Sequence, residues 1–177
     1  MPAYHTVIFD LDGTLLNTLE DLADSTNYAL SVNGFPTRSL EEVRTFVGNG
    51  VRQLVRLALP DGTPEQAQAK CLADFRAHYL LNMEHKTAPY PGILPLLDHL
   101  GAAGLGLAVV SNKFDGAVKG LCASYFGPRI PVAIGESPLV ARKPAPDAVL
   151  RALEELDADP RGAVYVGDSD VDLLTAQ

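Results

Sequence analysis

Four polar clusters, far apart in a 177-residue chain, contain the residues whose types and spacing could do chemistry. They are Asp10-Leu11-Asp12-Gly13-Thr14, Ser111-Asn112-Lys113, Lys143 in the run Ala141-Arg142-Lys143-Pro144, and Gly167-Asp168-Ser169-Asp170-Val171-Asp172. If Asp10, Asp12 and Asp168 share one small space, their like charges repel and raise one another's pKa. A divalent cation removes that conflict, and an oxygen-only donor set with water in the remaining positions suits Mg²⁺. Lys143 can supply further positive charge for a bound phosphate, and Ser111 with backbone N–H groups can hold its oxygens. Singly, each cluster has an ordinary reading. Asp12-Gly13 is a common turn dipeptide, and Lys143 before a proline could be a solvated loop residue. Ser111-Asn112, Asp168 and Asp170 could cap helices, and Asp172 could be a favourable first-turn charge. Their order and their position after apolar runs favour a shared site.

Those runs are the elements that must position the chemistry. Thr6–Phe9, Leu105–Val110 and Ala163–Val166 are short and rich in β-branched or aromatic residues, with a weaker run at Pro131–Ile134. None alternates cleanly with polar residues, so both faces are expected to be covered, as in a parallel sheet. Helical patterns over Ile93–Ala103, Ala117–Tyr125 and Pro146–Leu156 alternate with them. The expectation is an α/β, Rossmann-like parallel sheet, whose ligand crevice lies beyond the carboxyl ends of the strands. Between the first strand and Tyr90 no strand is evident. Leu19–Val32, Leu40–Phe46, Val51–Leu59 and Pro64–Asn82 read as helices, broken at Asn33-Gly34-Phe35-Pro36, Val47-Gly48-Asn49-Gly50 and Pro60-Asp61-Gly62. Residues 17–87 are therefore expected to form a helical insertion, with 1–16 and 88–177 forming the sheet domain. Glu20, Asp21 and Asp24 read as the solvated face of the first inserted helix.

Composition narrows the partners. The net charge of −8 argues against nucleic acid and anionic membranes, both of which need clustered Lys and Arg. No apolar stretch is long enough to span a bilayer, and Met1–Thr6 carries no basic leader region, so a cytoplasmic location is expected. Cys71 and Cys122 form no CxxC or zinc spacing; buried free thiols are expected over a bridge. His5, His78, His85 and His99 form no ligand pattern. Neither a GxSxG elbow nor a Walker loop is present. The sequence leaves the oligomeric state open.

In their order and composition, Asp10-Leu11-Asp12-Gly13-Thr14-Leu15, Ser111-Asn112, Lys143-Pro144 and Gly167-Asp168-Ser169 with Asp172 resemble the four motifs of the haloacid dehalogenase superfamily. The helical insertion resembles that superfamily's C1 cap. The resemblance implies a Mg²⁺-dependent phosphomonoester hydrolase. Asp10 would be the nucleophile that forms an aspartyl-phosphate, and Asp12 the general acid and base. Asp10 and Asp168 side chains and the Asp12 backbone carbonyl would hold the metal. Ser111, the Asn112 backbone and Lys143 would stabilise the transferring phosphoryl group, with Asp172 orienting Lys143 or a metal-bound water. An aspartate at position 12 separates this chemistry from dehalogenation, where a halide leaves without a proton.

Within the superfamily the chain is similar to phosphoglycolate phosphatases, in Arg44–Gly50, Val110–Lys113 and Arg142–Asp147. That likeness implies a small phosphorylated metabolite, 2-phosphoglycolate, as substrate. Thr45, Gly48, Asn49, Gly50 and Arg52 would be its substrate-binding residues. The alternatives are a pyrophosphatase, a sugar-phosphate phosphatase or mutase of the same superfamily, or a catalytically silent binding domain. Relatives of this type continue past the position of Gln177 with further helices and a strand. The C-terminal part of the core is therefore expected to be missing, with Val164–Val166 at a sheet edge.

Overall fold

The computed structural model describes residues 4–177, so the first half of the stretch read above for a leader lies outside the described residues. The chain divides into two compact units. One comprises the chain up to Asn17 together with Ala88–Gln177, and the other is Thr18–Thr87.

The first unit opens with β1 (Thr6–Phe9) and a two-residue strand β2 (Leu16–Asn17). The second unit follows, with α1 (Leu19–Val32), α2 (Leu40–Phe46), α3 (Gly50–Ala58) and α4 (Glu65–Asn82). The chain returns through β3 (Ala88–Pro89), which pairs antiparallel with β2. Then come α5 (Ile93–Ala102), β4 (Gly106–Phe114), α6 (Asp115–Tyr125), β5 (Val132–Glu136), α7 (Asp147–Glu155), β6 (Ala163–Val166) and α8 (Asp170–Ala176). The principal sheet is wholly parallel, in the order β5-β4-β1-β6.

Every residue of β1 is buried, as its uninterrupted apolar run requires of a strand paired on both sides. Because side chains alternate along a strand, Ile8, Ala108, Val110, Val132 and Ile134 share one face. They pack there with Ala148, Ala152 and Leu153 of α7. Burying a side chain the size of Ile8 stabilises the fold by roughly 1.5–3 kcal/mol. β6 occupies a sheet edge, and its last residue, Val166, is 38% exposed. Both cysteines are buried and free, and burial pushes the Cys122 thiol up to about 12.

Two local features depart from the sequence reading. β4 does not stop at Val110 but continues through Ser111, Asn112 and Lys113 to Phe114, which pairs with Glu136 across a register irregularity. Backbone pairing, not side-chain polarity, sets the strand end. In the helical unit, Asp21 is buried rather than solvated. Its carboxylate accepts the backbone N–H groups of Lys86 (both oxygens at 3.0 Å) and Thr87 (2.8 Å), which satisfies the charge that burial would otherwise penalise. Glu20 and Asp24 stay exposed near Lys86.

Within the helical unit α1 packs on α4 and α2, and α3 on α4. Phe75 and Tyr79 stack at 5.6 Å in its core. Ser39 and Glu42 form a reciprocal capping box at the start of α2, satisfying N–H groups that the first turn leaves unbonded. Among the described residues no helix is long and apolar enough to cross a membrane.

Candidate active site

Parallel strands all deliver their carboxyl ends to one side of a sheet, and the polar clusters follow that rule. Asp10 comes directly after β1, Ser111 to Lys113 form the end of β4, and Asp168 to Asp172 follow β6. Lys143 sits on the connection between β5 and α7. Asp10, Ser111, Asn112, Lys143 and Asp172 are all buried polar or charged residues, and Asp168 is exposed. Oxygen atoms of Asp10, Asp168 and Asp172 lie within 4.8 Å of one another.

Lys143 is the electrostatic centre of this group. Its Nζ donates to Asp10 Oδ1 at 2.7 Å, Asp172 Oδ1 at 2.6 Å and the Tyr165 hydroxyl at 2.9 Å. An ammonium has three donors, and these three acceptors use them. Burial acts against the charge on Lys143, but Asp10, Tyr165 and Asp172 outweigh it and hold the pKa above its ordinary value. Burial pushes the Asp10 carboxyl up to about 6; Lys143 limits the rise, and the neighbouring Asp12 and Asp172 charges add to it. Burial acts to raise Asp172 as well, yet bonds from Lys143 and Ser169 leave it below the usual carboxylate range.

The local sequence explains how these groups are held. Asn112 points its amide at the lysine's own backbone: Lys143 N–H donates to Asn112 Oδ1 at 2.9 Å, and Asn112 Nδ2 donates to the Lys143 carbonyl at 3.2 Å. The side chain thus fixes the lysine's position, a role distinct from the phosphoryl contact expected of its backbone. Asp172 serves two partners at once. While Oδ1 takes Lys143, Oδ2 accepts from Ser169 N–H (3.1 Å) and Ser169 Oγ (2.5 Å), closing a capping box on α8. Asp172 thus lies in the first turn of α8 while also bonding Lys143, and the residue that caps α8 is Ser169, not Asp168 or Asp170. Asp10 Oδ2 accepts no hydrogen bond among the described residues.

Asp12 lies on the turn after β1, where its Oδ1 is 3.0 Å from Lys113 Nζ. Ser111 Oγ accepts the Lys113 N–H at 3.2 Å. Thr14 Oγ1 donates to Asp168 Oδ1 at 3.4 Å. Gly13, at φ +86°, abuts the Asp168 carboxylate so closely that a Cβ would overlap it. Gly13→Ala is expected to cost roughly 1–3 kcal/mol from the left-handed backbone and the overlap, and to displace Asp168. Urea denaturation reads that cost, and an unchanged midpoint would mean that the turn relaxes around the methyl group.

Three participants were not singled out from sequence for their side chains. Tyr165 belongs to an apolar run, and Lys113 and Thr14 belong to two of the polar clusters without a role of their own. The sequence signals for Lys113 are its place directly after Ser111-Asn112 and its charge behind an apolar run. The residues expected to bind substrate lie in the helical unit. Thr45 is on α2 with its hydroxyl on the Glu42 carbonyl, Gly48 (φ +115°) and Gly50 (φ +77°) flank Asn49 at the start of α3, and Arg52 is exposed on α3.

The haloacid dehalogenase-like hydrolase family model fits residues 7–177. The chain belongs to that family. Among curated members, a phosphoglycolate phosphatase of Aquifex aeolicus is 35% identical over 94% of this chain and 77% of its own length. Phosphoglycolate phosphatase 1 of Pseudomonas aeruginosa is also 35% identical, over 97% of this chain, which spans 65% of that protein. The crystal structure of a phosphoglycolate phosphatase candidate from Lactobacillus delbrueckii subsp. bulgaricus superposes with a TM-score of 0.91 at 33% identity, covering 98% of this chain and 82% of that one. This hydrolase thus shares the parallel α/β fold of the family and resembles its phosphatase members over nearly its whole length.

Proposed function

We propose that the chain hydrolyses a phosphomonoester through an aspartyl-phosphate on Asp10, with 2-phosphoglycolate as substrate. The observation that carries this reading is the pairing of a buried Asp10, whose Oδ2 accepts no hydrogen bond among the described residues, with a buried Lys143 at 2.7 Å. Asp10 attacks phosphorus, and the bond to the substrate's alkoxide oxygen breaks as Asp12 gives that oxygen a proton. Water then attacks the aspartyl-phosphate, Asp12 takes its proton, and Asp10 is released. The positive charge of Lys143 and the Ser111 hydroxyl stabilise the phosphoryl oxygens, Asn112 holds the lysine's backbone, and Asp172 orients its ammonium.

The donor set fits Mg²⁺: three carboxylates gather their oxygens, and among the described residues no sulfur or imidazole joins the group. Both oxygens of Asp172 already have protein partners, so Asp10 and Asp168, with the Asp12 carbonyl, are the residues that would hold the ion. When bound, Mg²⁺ supplies positive charge that offsets the carboxylates and the substrate's phosphate. The helical unit acts as the cap, and its Thr45, Gly48, Asn49, Gly50 and Arg52 select the substrate; the support for this part is the likeness of Arg44–Gly50 to phosphoglycolate phosphatases.

The test is phosphate release from 2-phosphoglycolate, pyrophosphate, sugar phosphates and p-nitrophenyl phosphate, with Mg²⁺ and with chelator. The highest kcat/KM is expected with 2-phosphoglycolate, and chelation should remove at least about 90% of turnover, restored by added Mg²⁺. Preference for pyrophosphate or a sugar phosphate replaces the substrate and keeps the chemistry. No release from any ester overturns the reading.

A further inference from the structure

We propose that Lys113 is a positioning residue for Asp12, holding its carboxylate where it must give and take protons. The inference rests on the acid–base reading of Asp12 given above. The Lys113 side chain is only 2% exposed, and its Nζ lies 3.0 Å from Asp12 Oδ1, on a side chain 14% exposed. An ammonium in the interior carries a penalty of several kcal/mol unless it is paired. Strand packing alone would be served as well by an apolar residue of similar volume, so the charge at the end of β4 needs another reason.

The local geometry supplies one. Asp12 sits on the turn between β1 and β2, where a carboxylate with two rotatable bonds has several rotamers to choose from. Lys113 lies on β4 between Val110 and Phe114, both of which pair with β5, and its N–H is held by Ser111 Oγ at 3.2 Å. The ammonium therefore ties the turn's carboxylate to the end of β4. The carboxylate held in this way is the group that transfers the proton. It protonates the leaving alkoxide as the phosphorus–oxygen bond breaks, and accepts a proton from water as the aspartyl-phosphate is hydrolysed.

This role gives a signature that mere structural support would not. A p-nitrophenolate leaves without a proton, whereas the alkoxide of 2-phosphoglycolate needs one, and kcat/KM reports the phosphorylation half-reaction for both esters. Lys113→Met should lower kcat/KM for 2-phosphoglycolate on the order of 10²-fold and for p-nitrophenyl phosphate by less than about threefold. Lys113→Arg should recover part of the loss. In an Asp12→Asn background Lys113→Met should cost nothing further. A crystal structure of Lys113→Met should show the Asp12 carboxylate displaced from its wild-type position. Equal losses on the two esters, a loss that multiplies with Asp12→Asn, or an Asp12 carboxylate that stays in place would overturn the proposal. If the wild type hydrolyses neither ester, the phosphatase reading fails, and the position of Asp12 in the variant crystal still decides this one. If Lys113→Met does not fold, Lys113→Gln is assayed and crystallised in the same way.

Discussion

Asp10→Asn is expected to reduce phosphate release by at least about 10³-fold while moving the melting temperature by no more than about 5 °C. The amide keeps the carboxylate's shape, and its oxygen can still accept from Lys143, so packing at the end of β1 survives. What it lacks is the anionic oxygen able to bond phosphorus. Two measurements check this. Steady-state phosphate release gives the size of the loss, and mass spectrometry of acid-quenched turnover should show a phosphorylated wild-type chain and an unmodified variant. Turnover retained within tenfold would remove Asp10 from the role of nucleophile. A large fall in melting temperature would assign it a structural role instead.

Lys143→Met is expected to reduce both stability and activity. Two buried carboxylates, Asp10 and Asp172, share one ammonium, and its loss leaves them facing each other without a counter-charge. Removing one partner of a buried ion pair destabilises by about 3–5 kcal/mol. Urea denaturation at pH 7 in chelator should show a loss of that size, and added Mg²⁺ should recover part of it. The loss of phosphoryl stabilisation should lower kcat on the order of 10²–10³-fold. Lys143→Arg separates the two effects. It keeps the charge, and so most of the stability, but a planar guanidinium cannot reproduce the three-way contact with Asp10, Asp172 and Tyr165, so activity stays low. Wild-type stability in Lys143→Met would mean that the carboxylates find other relief.

Strand existence was legible where apolar runs are pure. Thr6–Phe9 and Ala163–Val166 follow their runs residue for residue; β1, paired on both sides, is wholly buried, whereas β6, at the sheet edge, is only half-buried. The end of β4 was not legible. Ser111-Asn112-Lys113 has the composition of a loop, yet each polar side chain there has a partner that lets it remain in the strand: Asn112 on the Lys143 backbone, Lys113 on Asp12. Asp21 was misread for a similar reason. Helical periodicity places it beside Glu20 and Asp24 but says nothing of the two backbone amides, far along the chain, that donate to its carboxylate in the interior. The convergence of Asp10, Asp168, Asp172 and Lys143 was legible, since it follows from strand polarity alone. The Tyr165 hydroxyl was not, because its strand neighbours make it look like packing; its bonds to Lys143, Asp172 and the Val110 carbonyl are tertiary facts.

The pairing of Leu16–Asn17 with Ala88–Pro89 brings the outgoing and returning chain side by side. The whole helical unit is thus strung from one doorway, while the register of the parallel sheet is set entirely by other residues. A segment attached in this manner can be lengthened, exchanged or replaced in a descendant lineage without disturbing a single pairing of the principal sheet.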